Sequence, residues 1–232
     1  MNSISIHQPE YIPWFHLFEK ISLSDEFVFL DDVQYLRRGF QSRNKILTAH
    51  GEKWLTIPTI KQSRGSNINE IKLDNSQEWQ KRHFNIICES YKKSKFFLEI
   101  KNFLKPFYEK KFENLYLFNA EIVLSISKNF GLKTKFCYSS ELKSKYKKSD
   151  KILDICKKKN AKLYITGQGS KNYLDEKKFI NDGIKVKYLK PYKLIYKQIS
   201  NNFIPDLSIL DYLFHNGFKN FLLNEYPQFK RK

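Results

Sequence analysis

Ile4-Ser5-Ile6-His7-Gln8-Pro9, then Pro13-Trp14 with Leu17, Phe18 and Ile21, then Phe27-Val28-Phe29-Leu30-Asp31-Asp32 read together as strand, helix, strand. Proline lacks an amide proton and pushes the residue before it out of the helical region, so Pro9 ends the first strand and leaves His7-Gln8 in a stiff exit loop. Pro13 suits the first turn of a helix, Trp14, Leu17, Phe18 and Ile21 recur at helical spacing, and Asp25 closes that region. Phe27 to Leu30 is a continuous apolar run, the pattern of a strand buried on both faces of a parallel sheet. A right-handed crossover between these strands puts His7-Gln8 and Asp31-Asp32 along one carboxyl edge, where open α/β sheets bind ligands.

Outward from this unit, a polar and basic segment over 36–44 precedes Lys45-Ile46-Leu47 and Trp54-Leu55-Thr56-Ile57-Pro58, which predict a hairpin turning at His50-Gly51-Glu52. Residues 63–66 read as a loop and 68–73 as another short strand. From 77 to about 130 the apolar spacing is helical, with no glycine and only Pro106, which predicts helices near 77–91, 95–110 and 115–130. Strands over 134–138 and 163–165 flank a helix over 149–159, and 184–189 supplies a further strand. Two short helices, 209–214 and 217–223, end the pattern, with Ser208 and Asp211 spaced as a capping box. The expectation is a single α/β domain over 1–232, with a Rossmann-like, mostly parallel sheet and a helical segment inserted at about 77–130.

The chain has 232 residues, 41% hydrophobic and 16% aromatic, enough to bury a core unaided. No run of about 18 apolar residues offers a membrane span. The opening residues lack the basic-then-apolar order of a signal peptide, so a cytoplasmic address is expected. Cys88, Cys137 and Cys156 are odd in number and widely spaced, which argues against a disulfide framework or a zinc site and for reduced thiols. The net charge of +18 raises nucleic acid as a partner, but the charge is mostly lysine, accompanied by abundant Asn and Ile, as in A/T-biased codon usage. We expect no nucleic-acid partner; an anionic substrate such as a nucleotide-linked sugar, or an acidic carrier protein, suits such a surface.

Several residues carry chemistry. His7, held in a stiff loop, can accept a proton near neutrality, and Gln8 offers a donor and an acceptor; local capping is the bland alternative for His7. Asp31 and Asp32 are costly at the end of a buried strand unless satisfied by ligand, metal, backbone amides or the nearby Arg37, Arg38 or Arg43. Arg43 with Asn44 is the preferred anion-contacting pair, because a guanidinium forks onto phosphate or carboxylate. The loop Gly167-Gln168-Gly169-Ser170 follows a strand and lets backbone amides approach an anion, but it has neither the third glycine of a dinucleotide fingerprint nor the Lys of a P-loop. His83 sits on a predicted helix, where a structural role competes with a functional one. No metal site is predicted, a lone Asp-Asp being a weak magnesium signal.

Ile6-His7-Gln8-Pro9-Glu10-Tyr11-Ile12-Pro13-Trp14, Phe29-Leu30-Asp31-Asp32-Val33-Gln34-Tyr35 and Arg43-Asn44-Lys45-Ile46 resemble the WbqC-like proteins. The resemblance continues through Trp54-Leu55-Thr56-Ile57-Pro58, Trp79 with His83, Thr166-Gly167 with Asn172-Tyr173-Leu174, and Leu207-Ser208-Ile209-Leu210-Asp211 with Asn216-Gly217. The chain departs from the commoner family form at Phe40 and His215, leaving the polar set intact. The resemblance implies a bacterial protein of O-antigen and related surface-polysaccharide gene clusters, and within such pathways N-acyl or aminoacyl transfer onto an amino sugar. His7 would then deprotonate or orient the amine, with Asp31 or Asp32 aligning it. Gln8, Gly167 and Gly169 would face the oxyanion, and Gln34, Arg43, Asn44 and His83 would contact substrate. No tightly bound cofactor is expected, an acyl thioester would be the donor, and the residues leave magnesium undecided. A nucleotidyl-transfer or nucleotide-binding enzyme, lacking the H-x-G-H spacing, and a non-catalytic binding protein are the alternatives.

Overall fold

A computed structural model describes residues 2–61, 65–190, 194–200 and 202–219. The first unit forms as its sequence dictates, with β1 (Ser3–His7), α1 (Phe15–Ser22) and β2 (Glu26–Phe29). Trp14 takes the N-cap position of α1, so Pro13 sits just outside the helix and not in its first turn. The hairpin follows as β3 (Arg43–Thr48) and β4 (Gly51–Thr56), paired antiparallel with Arg43 opposite Thr56. The predicted helices are α2 (Trp79–Tyr91), α3 (Phe97–Glu109) and α4 (Leu115–Asn129). Then come β5 (Lys135–Tyr138), α5 (Lys148–Lys158), β6 (Leu163–Gly167), α6 (Glu176–Asn181), β7 (Lys185–Leu189) and α7 (Ile209–Asn216).

Five strands make one parallel sheet in the order β5-β2-β1-β6-β7, and the hairpin stands apart as a two-stranded sheet. Counted along the sheet's own strands this is the order 3-2-1-4-5, the Rossmann-like arrangement expected. Successive strands are added on one side of β1 and then on the other, so the winding reverses between β1 and β6. Alternate side chains serve two cores. Phe27 and Phe29 face α1 and the three inserted helices, while Ile4, Ile6 and Val28 face α5 and α6. The face of β1 beneath α1 is small and polar: Ser5 Oγ donates to Lys20 O at 3.0 Å, which lets the helix lie close over the strand.

The segment 68–73 is not a strand. Ile68–Glu70 is a 3-10 turn in which the Asn67 N–H donates to Glu70 Oε2 at 2.7 Å, and only isolated bridges, Thr59 to Leu73 and Lys72 to Asn114, extend it. The Asn-x-x-Glu spacing of a capped turn outweighed the alternating apolar residues. Ser208 caps α7 by accepting from Leu210 N at 3.2 Å, but Asp211 completes no capping box. Its carboxylate instead accepts from Tyr91 Oη at 3.1 Å, Tyr196 Oη at 2.8 Å and Gln198 Nε2 at 2.9 Å in the interior. Gly217, at φ +66°, ends α7, and most of the second helix expected over 217–223 lies outside the described residues. Cys88, Cys137 and Cys156 are unpaired, and burial raises each thiol above its ordinary pKa. Among the described residues no helix is long and apolar enough to cross a membrane.

Candidate functional site

Where the winding reverses, the exits of β1 and β6 diverge and leave a cavity of about 440 Å³, a size suited to a small organic ligand. His7 and Gln8 reach it from the end of β1, Gly167 and Gly169 from the end of β6, and Lys190 from beyond β7. Its floor is apolar, with Ile6, Leu30 and Ile152, and Trp14 forms part of the rim. Four of the residues expected to act together therefore share one cavity.

The loop after β1 and helix α1 supply further groups that strand exits and glycines do not mark. Glu10, His16, Glu19 and Lys20 all line the cavity. His16, Glu19 and Lys20 stand at i, i+3 and i+4, one face of the helix, opposite the apolar stripe from which the helix was recognised. The sequence carries this signal as His16-x-x-Glu19-Lys20 in the first helix after a strand exit, on the face opposite the hydrophobic period. His16 Nδ1 and Glu19 Oε2 are 2.8 Å apart, and the imidazole is flanked by the rings of Phe15 at 3.9 Å and Trp14 at 4.5 Å.

Burial dominates the electrostatics. His7 Nδ1 lies 3.1 Å from Gln8 O, so Nδ1–H is the donor and Nε2 carries the free lone pair. Desolvation, helped by the Lys20 charge, pushes the imidazole down to about 3, and it stays neutral. Desolvation pushes Glu10 up to about 7 against the opposing pull of Lys20, and pushes Lys20 down to about 8 against Glu10 and Glu19. A carboxyl and an amine whose proton affinities both lie near neutrality can exchange protons with a substrate at little cost. Across the cavity, neither Gly167 nor Gly169 has positive φ, and a Cβ at either would meet nothing within 4 Å. Neither packing nor backbone strain requires glycine there; its absent side chains leave the loop backbone open to a ligand. Gln168 Nε2 donates to Leu189 O at 2.8 Å, which fixes the loop to the end of β7.

The other expected residues lie elsewhere, so the set does not converge on a single cleft. Asp31 is fully buried and accepts from Ser139 Oγ at 3.0 Å, Ser140 N at 3.0 Å and Ser140 Oγ at 2.7 Å. Asp32 pairs with Lys151 Nζ at 2.6 Å and accepts from Ser139 Oγ, and no arginine takes part. Both carboxylates follow β2, one strand away from the winding reversal, and turn toward the exit of β5. Asn44 donates to Tyr11 O at 3.2 Å and Ile12 O at 3.0 Å. His83, pushed down to about 4 by burial and then by Arg82, lies 2.9 Å from Tyr11 Oη, which also meets Tyr108 Oη at 2.8 Å. Asn44 and His83 thus grip the loop between β1 and α1 from behind. Asn119, absent from the expected set, adds to this grip by donating to Pro9 O at 3.1 Å and Gln41 O at 2.7 Å. Gln41 in turn donates to Gln8 Oε1. Gln34 and Arg43 line a second, separate groove of about 740 Å³.

A protein of Mycobacterium tuberculosis (strain ATCC 25618 / H37Rv), described as uncharacterized protein Rv1507c, is 33% identical to this chain over 221 residues, covering 94% of this chain and 95% of its own length. No solved structure matches the chain. The model of the WbqC-like protein family matches residues 8–222, taking in the loop that carries Gln8 and Glu10, the glycine loop after β6 and the groove, and the chain belongs to that family.

Proposed function

We propose that this chain is a cytoplasmic transferase of bacterial surface-glycan synthesis of the O-antigen type, moving an acyl or aminoacyl group from a thioester to the amine of a nucleotide-linked amino sugar. The observation that carries the reading is the trio of part-buried His7 and Glu10 with buried Lys20, facing the open backbone of Gly167–Gly169 across one small cavity. A sugar ammonium must lose a proton before its nitrogen can attack, and a carboxylate near pKa 7 takes that proton at neutral pH. Neutral His7, with Nε2 as acceptor, orients the amine. The nitrogen lone pair forms the C–N bond, the carbonyl oxygen gathers charge facing the loop amides and Gln8, and the C–S bond breaks. The thiolate leaves with a proton from Lys20, the Lys20 amine so freed takes the second proton from the nitrogen as the amide forms, and Glu10 returns its proton to solvent. The positive surface suits both a nucleotide-linked sugar and an acidic carrier protein bearing the thioester.

Incubating the full chain with nucleotide-linked amino sugars and a set of acyl and aminoacyl thioesters, with mass spectrometry of the sugar, tests this. A mass gain that disappears in Glu10→Gln and His7→Ala is the expected result. No gain with any donor defeats it. The strand order favours one second reading, a nucleotide-binding or nucleotidyl-transfer enzyme, since the winding reversal of such sheets commonly receives nucleotides. Nucleotide-dependent thermal stabilisation with no acyl transfer distinguishes that reading.

A further inference from the structure

The second groove is walled by Arg37, Arg38, Arg43 and Lys61, with Gln34 and Ser42 between them, and none of its lining residues is acidic. None of the ion pairs among the described residues involves Arg38, Arg43 or Lys61. The composition makes this arrangement unusual for this chain. Only six of its 42 basic residues are arginine, and three of those six line this one groove. Lysine-rich drift scatters charge over a surface; it does not gather guanidinium groups, whose planar forks match phosphate oxygens two at a time.

Two further features hold the arginines for a ligand. The Arg43 guanidinium carbon lies 4.3 Å from the centre of the Trp54 ring, and its Nε is buried with no hydrogen-bond partner. A buried donor without a partner is costly, and an incoming oxygen would satisfy it. Arg38 stands in the left-handed region at φ +61°, uncommon for a long side chain. Its turn is closed by Gly39 N–H donating to Leu36 O at 2.9 Å. A Cβ at Gly39 would lie 2.1 Å from Gln41 Oε1 and 2.9 Å from Leu36 O, so the turn is fixed where it presents Arg37 and Arg38 beside β3.

We propose that this groove is a phosphate site that holds the diphosphate of a small organic substrate. Gln41 links it to the cavity at the winding reversal, bonding to Gln8 on one side and preceding Ser42 and Arg43 on the other. A ligand anchored by its diphosphate in the groove can therefore extend its remaining portion past Gln8. That a nucleotide-linked sugar is this ligand rests on the transfer reading above; the anion chemistry does not.

Calorimetric titration of the full chain with inorganic pyrophosphate and with uridine diphosphate tests the site apart from any transfer. Wild type should bind both, and Arg37→Ala with Arg38→Ala should weaken both by about tenfold or more. These two side chains are exposed, so thermal unfolding should be unchanged. Arg43→Lys, which keeps the charge and loses the fork, should also weaken both. His7→Ala and Glu10→Gln should leave pyrophosphate affinity within about twofold, as expected of separate sites. Absence of pyrophosphate binding, or binding indifferent to the arginine variants, overturns the proposal. Loss of pyrophosphate binding in His7→Ala alone places the diphosphate at the winding reversal and overturns it too. Binding that requires an oligonucleotide instead would make the groove part of a nucleic-acid surface. Pyrophosphate binding without acyl transfer leaves the groove standing and removes the transfer reading.

Discussion

Glu10 is the side chain on which the proposed chemistry depends most, and its titration has consequences for stability as well. Burial moves its carboxyl from 4.5 to about 7. Between those values the unfolded chain gives up the proton and the folded chain keeps it, so stability falls as pH rises from 4.5 toward 7 and then levels. His7 acts in the opposite sense: moved from 6.5 to about 3, it costs stability as pH falls through that window, because the unfolded chain takes up the proton first. Glu10→Gln should therefore gain in melting temperature relative to wild type as pH rises from 4.5 to 7, with thermal scans across that range as the check. A constant difference would mean that the carboxyl is not buried in the way described. In turnover, Glu10→Gln should lower kcat by about 10²- to 10⁴-fold, the usual contribution of a general base. At this scale His7, Gln8, Gly167 and Gly169 were legible, because strand exits and glycines announce themselves locally. The partners of Asp31 and Asp32 were not: Ser139, Ser140 and Lys151 are distant in sequence, and only the pairing of β2 with β5 brings them near.

The elements divide the labour, with the exit of β1 and helix α1 presenting the groups of the proposed chemistry and α4 holding the loop between them. Asn119 on α4 is fully buried and ties Pro9 to Gln41, so one side chain fixes both the loop between β1 and α1 and the segment leading to the groove. Asn119→Ala should destabilise by about 1–3 kcal/mol in urea unfolding, leaving two carbonyls unpaired. It should also lower kcat more than it raises KM, since it displaces groups that orient the reaction. Next to it, Phe118 meets the rings of Tyr11, Trp79, Tyr108 and Phe112, and Phe118→Ala should cost about 3–5 kcal/mol. Helical periodicity revealed α2, α3 and α4 within a few residues, since a long amphipathic repeat is hard to mistake. The turn at Ile68–Glu70 differs from the strand expected there because a short apolar alternation cannot be told from a capped turn without its hydrogen bonds.

Over the whole molecule, the net charge of +18 would govern how the proposed anionic substrates arrive. With a screening length of about 8 Å at physiological salt, long-range attraction is lost as salt is added, while contacts inside the cavity are screened less. The transfer kcat/KM for a nucleotide-linked sugar should thus fall several-fold as ionic strength rises, with kcat nearly level, as steady-state rates in a salt series would register. The parallel sheet was legible at this scale from the alternation of strands and helices, although the order of its strands was not, since local patterns do not encode which strands become neighbours. That order bears on how the chain acquires its shape. β1, first in the chain, lies at the centre of the sheet, and its neighbour β6 begins only at Leu163. β2 and β5 pair although residues 30–134 lie between them. The contact order of the sheet is accordingly high, and closing so long a loop is entropically costly until the inserted helices have collapsed and brought its ends together. On the ribosome, the first strand to emerge waits for more than half the chain before its second edge is covered. Kinetic competence therefore depends on the insert, so a core substitution in α4 should slow folding as well as weaken the fold.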